Sequence, residues 1–61
     1  MTKTEIENLI VEQNKYLDQI EKRIVTQKAN GNIAYAVILD ERADSVLKDI
    51  FNLRRKLQRL Q

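Results

Sequence analysis

The stretch KANGNIAYAVIL, residues 28–39, is the only part of this 61-residue chain with the composition of a reversal. Its reading decides the fold. Asn30-Gly31 is a strong signal for the tip of a β-hairpin, and the flanking RIVTQKA and NIAYAVIL contain β-branched and aromatic residues that suit strands. Yet TQKA on the left carries no alternating apolar face, and Val37, Ile38 and Leu39 run together on the right. A lone two-stranded ribbon is also marginal without a third strand. A turn between helices costs less. Gly31 supplies the left-handed conformation that ends one helix, Asn32 caps the next, and Ala34 and Ala36 are good helix formers. The stretch predicts a helix–turn–helix, with a short β-ribbon between two helices as the alternative.

Upstream, Ile6, Ile10, Leu17, Ile20 and Ile24 fall on a seam whose spacings alternate four and three, interrupted by Gln13 and Gln27. That spacing keeps the seam on one helix face, and a polar residue such as Gln13 is of a kind that fixes register. Thr2-x-x-Glu5 and Thr4-x-x-Glu7 both match the capping-box pattern. Downstream, Ala36, Leu39, Ala43, Val46, Ile50, Leu53, Leu57 and Leu60 repeat without a polar member. Leu47 and Phe51 lie beside this seam and widen it beyond what one neighbouring helix needs. The sequence thus outlines a single helical-hairpin domain over residues 1–61. Helix 1 occupies about 4–28, the turn about 29–32 and helix 2 about 33–60.

A helical hairpin leaves part of its apolar face open. The expected fold class is all-α, an antiparallel two-helix hairpin that dimerises into a four-helix bundle. The expected oligomer core is Ile6, Ile10, Leu17, Ile20, Ile24, Leu39, Ala43, Val46, Ile50, Leu53, Leu57 and Leu60. A higher oligomer, or a hairpin docked on another protein, comes next. Size supports a partner. For 7.2 kDa, surface scaling gives roughly 10,400 Å² unfolded and about 4,100 Å² for a compact monomer. Burial of that area contributes about 95 kcal/mol, against about 90 kcal/mol for ordering the chain. The difference is near zero even for a sphere.

Composition narrows the chemistry. Cysteine and histidine are absent, which removes disulfides, thiolate metal sites, the usual general base and the commonest transition-metal ligand. Ser45 is the only serine and has no activating base. The acidic group DERAD places Asp40 and Asp44 on one helix face, but acidic residues early in a helix also suit its dipole. No catalytic residue, metal or cofactor is expected. No apolar run approaches the roughly 18 residues that span a bilayer, and MTKTEIENLI lacks a signal-type apolar region. The expectation is a soluble, cytoplasmic protein without membrane association.

Helix 2 is acidic at its start and basic at its end, in NLRRKLQRLQ. Dipole complementarity and pairing with acidic residues of a partner helix account for this. A platform for phosphates built on Arg55, Lys56 and Arg59 is the alternative. Arg54 falls about 20° from Ala43 by helical angle, so it is a rim residue with a buried stem or a buried ion-pair member. The chain has three aromatic residues, Tyr16, Tyr35 and Phe51, which are the candidate anchors for a protein partner. Val11 and Val25 form a second apolar group on helix 1. The resulting expectation is a non-catalytic interaction protein: a homo-oligomeric regulator or inhibitor that binds another protein through helix faces. The alternatives are a nucleic-acid-binding bundle and sequestration of a small anionic ligand between subunits.

Overall fold

The computed structural model describes residues 1–60; Gln61, the last residue of the outlined domain, lies outside the described residues. Two helices form, α1 over Lys3–Ala29 and α2 over Ile33–Arg59. They pack antiparallel as a hairpin: Ile20 lies by Leu39, and Leu9 by Leu53. The molecule measures 45 × 14 × 12 Å, close to the length of a single helix of this size.

The turn is helical on both sides, and the reason is visible in one dihedral. A type I′ hairpin needs positive φ at both central residues. Asn30 sits at φ −87°, and Gly31 alone is positive, at 79°. The backbone closes α1 in a Schellman arrangement. Asn32 N–H donates to the Gln27 carbonyl at 2.8 Å, and Gly31 N–H donates to the Lys28 carbonyl at 3.1 Å. The two residues that normally add an apolar contact to this motif are here Gln27 and Asn32. Their side chains bond instead, Asn32 Nδ2 donating to Gln27 Oε1 at 2.8 Å.

That bond corrects the expected role of Asn32. It occupies the N-cap position of α2, but its side chain caps no backbone N–H. The amide reaches back to Gln27, and only the Asn32 carbonyl serves α2, accepting from Ala36 N–H at 3.0 Å. Gln27, an interruption in the α1 seam, thereby gains a partner at the turn. Gln13 is half-buried at a rim lined by Leu9, Asp49 and Leu53.

At the other end of α1, Thr2 rather than Thr4 is the cap. Glu5 N–H donates to Thr2 Oγ1, and Thr2 N–H donates to Glu5 Oε1, both at 3.2 Å. Capping at Thr2 keeps Lys3 and Thr4 in the helix, with Ile6 N–H bonded to the Thr2 carbonyl at 3.1 Å. The Thr2 N–H, and then the Thr2 hydroxyl, hold the Glu5 carboxyl below its ordinary value. A depressed carboxyl favours the folded state above its unfolded value and loses that contribution as pH falls through the folded one.

One contiguous core joins the helices: Leu17, Ile20 and Ile24 from α1 with Leu39, Ala43, Val46 and Ile50 from α2. Ala36 is completely buried and Ile6 nearly so. Burial weakens toward the open end of the hairpin, where Ile10, Leu53 and Leu57 are only half-buried. Leu60 is 52% exposed, on an open depression that it shares with Met1 and Ile6. The accessible surface is 4749 Å², above the roughly 4,100 Å² of a compact chain of this mass. The shortfall in burial removes about 10 kcal/mol of apolar stabilisation.

Substitutions at three positions test this account. Nothing lies within 4 Å of a Cβ placed on Gly31, so Gly31→Val carries backbone strain alone, about 1–2 kcal/mol, and Gly31→Asn less. Urea denaturation should rank them in that order. Leu39→Ala removes the most enclosed large side chain and should cost about 2–5 kcal/mol, enough to abolish a cooperative thermal transition. Glu5→Gln should flatten the loss of helicity on acidification below pH 4.5, followed by circular dichroism.

Candidate interaction surfaces

With one flank of each helix spent on the other, function falls to the remaining surface. Round α2, Ile33, Val37, Leu47 and Phe51 lie within a sector about 80° wide, displaced from the core seam. All are exposed, Leu47 by 48% and Phe51 by 61%. Asp40, Asp44 and Arg55 share this sector by helical angle, and Arg54 lies about 20° beyond its seam-side edge. Arg55 lies over the Phe51 ring, its Cζ 5.8 Å from the centroid, a cation–π contact worth about 0.5–1 kcal/mol at an exposed site. Arg54 is exposed and makes no ion pair among the described residues; the pair found there is Asp18–Lys22, at 3.0 Å on the surface of α1. Of the two expectations for Arg54, the buried ion pair is not met. Its angle equals that of the completely buried Ala36, so its exposure comes from its place on the last turns, where Leu53 and Leu57 are only half-buried.

The opposite flank holds a different group. Tyr16, Gln19, Ile20 and Arg23 of α1 line a shallow cleft with Leu39 and Arg42 of α2. Tyr35 precedes Arg42 by two helical turns and so lies on the same side, with Ile38 beside it. The three candidate aromatic anchors therefore do not form one patch. Tyr16 and Tyr35 share one flank, about 16 Å apart along the axis, and Phe51 is on the other. Val11 and Val25 are exposed on the back of α1, but about 21 Å separates them, so each stands alone.

Arg55, Lys56 and Arg59 do come together, lining an open groove with Asn52 on the last turns of α2. A second depression at this end of the hairpin is lined by Met1, Ile6, Lys56, Arg59 and Leu60. Both are open to solvent, and neither is lined by an aromatic ring on which a base could stack. Among the described residues, no three acidic side chains gather as a metal site would require. No described helix is long and apolar enough to cross a membrane.

No family model, characterised protein or solved structure matches this chain.

The exposed apolar flank of α2 is the feature sequence reasoning half found. The angular offset of Leu47 and Phe51 from the seam marks a widened face, and Ile33, the first residue of α2, extends the same flank by helical angle. If Phe51 and Arg55 are coupled as the geometry has them, Phe51→Ala and Arg55→Ala should be non-additive in a double-mutant cycle. The expected coupling is a few tenths of a kcal/mol up to about 1 kcal/mol, read from urea denaturation.

Proposed function

We propose that this chain is a non-catalytic interaction protein. Its hairpins associate into a homodimeric four-helix bundle, and the assembly binds another protein through a helix face, as a small regulator or inhibitor would. The observation that carries this reading is the exposure of large apolar side chains on two opposite flanks: Leu47 and Phe51 on one, Tyr16 and Tyr35 on the other. Solvation of a hairpin this thin leaves its burial short of a compact monomer, and a second hairpin supplies the missing apolar contact. Tyr16, with Arg23 and Arg42 beside it, has the aromatic-and-arginine composition of a protein-binding anchor.

The absence of histidine and cysteine from the sequence supports the non-catalytic part, since histidine is the commonest general acid–base group and cysteine a common nucleophile. A second reading, binding of nucleic acid, is favoured by one specific observation: Arg55, Lys56 and Arg59 line a single groove. Three phosphate contacts in that groove would give a logarithmic salt slope of about −2.7 on duplex DNA.

Two measurements separate these readings. Sedimentation equilibrium at micromolar concentrations should give a mass twice 7.2 kDa; a mass of 7.2 kDa at every concentration would refute the homo-oligomer. Titration with duplex DNA and a structured RNA across a range of salt should show no saturable complex. A tight complex with the steep salt slope above, lost on replacing Arg55, Lys56 and Arg59 by glutamine, would put the nucleic-acid reading in its place. For the protein partner, the double variant Tyr16→Ala/Tyr35→Ala should keep its helicity and lose a nuclease-resistant partner that the wild-type chain retains.

A further inference from the structure

We infer that the outer flank of α2 is a self-complementary interface, which pairs antiparallel with α2 of a second copy about a twofold axis at Leu47. This rests on the homo-oligomer proposed above and specifies which surface builds it. The occupant is argued from charge. Around Leu47 on this exposed side of α2, acidic residues precede it, as Asp40 and Asp44, and basic residues follow it, as Arg55 within the sector and Arg54 at its seam-side edge, about 20° from Leu47. A twofold axis perpendicular to α2 at Leu47 brings level those residues that are equally distant from it in the chain. Asp40, seven residues before Leu47, then meets the partner's Arg54, seven residues after it. The same contact is made a second time with the subunits exchanged, as a twofold interface requires.

The neighbouring groups agree with this register. Leu47 meets its own copy at the axis, where it is covered from water. Phe51 comes level with the partner's Ala43, which is covered inside its own hairpin, and its ring lies against the exposed Asp44 beside it. The partner's Asp44 is within reach of Arg55, which already lies over Phe51. The aromatic ring is then enclosed between its own arginine and the facing helix. Parallel pairing of the same flank would instead stack Asp40 on the partner's Asp40 and Arg54 on the partner's Arg54, a repulsion at both ends. The charge pattern thus selects the antiparallel arrangement as well as the partner.

The test uses charge reversal in the full chain. Asp40→Arg and Arg54→Asp each place like charges opposite one another, so either variant alone should raise the dimer dissociation constant at least tenfold in sedimentation equilibrium. Mixed in equal amounts, the two should form a heterodimer with wild-type affinity, because every level position then carries opposite charges. The chain has no cysteine, so Leu47→Cys provides a second, independent readout. Oxidation should link it to its own copy across the axis, while Val25→Cys on the back of α1 should remain unlinked. Dimers unaffected by both charge reversals, with no disulfide at position 47, would overturn this interface while leaving the homo-oligomer standing on another surface. A wild-type chain that stays monomeric throughout would overturn both. Failure of the mixed variants to associate, with each one folded by circular dichroism, would overturn the antiparallel register.

Discussion

A chain of two helices has one internal interface, and every enclosed side chain of this protein lies along it. The seam from Leu17 to Ile24 on α1 meets the seam from Leu39 to Ile50 on α2, and no third element covers what remains. Burial is therefore one-sided for each helix. A helix inside a larger domain hides two or three flanks; here each hides one, and the residues on the others must be polar, stay exposed or find a partner outside the chain. The distribution of Leu47, Phe51, Tyr16 and Tyr35 follows from that geometry.

The reversal at Gly31 makes the interface possible, because it sets which residues of α1 come level with which residues of α2. One positive φ and two backbone hydrogen bonds close α1, and the Gln27–Asn32 side-chain bond ties the closure to the start of α2. Ala36 is small at the buried position of α2 nearest the turn. Toward the open end the cover on α2 is looser: Leu53 and Leu57 are only half covered, although Ile6 of α1 is enclosed. The basic last turns of α2 lie at that end.

Charge is arranged on the same plan. Acidic residues lie in the first half of α2 and basic residues at its end, but none of the acidic ones is in the first turn, so only Lys56 and Arg59 favour the helix through its dipole. The charge order from Asp40 and Asp44 to Arg54 and Arg55 is instead of the kind that complements a reversed copy. Around Tyr16 the cations come from both helices, as Arg23 and Arg42, and their juxtaposition depends on the turn.

Helix type and approximate extent were determined by the sequence by itself: the four-and-three spacing of Ile6 to Ile24 and of Ala36 to Leu60 suits a helix, and a lone glycine between them marks the reversal. The hairpin tip read from Asn30-Gly31 was a real competitor, decided by periodicity on both sides rather than by the dipeptide. Other features were outside its reach. The choice of Thr2 over Thr4 as cap, the diversion of Asn32 to Gln27 and the exposure of Leu60 each depend on where a neighbouring group ends up in space. The separation of the three aromatic residues onto two flanks likewise needed the relative rotation of the helices, which one-dimensional spacing constrains within each helix but not between them. Local periodicity is written along the chain; which flank faces which is decided only when the two seams close on each other.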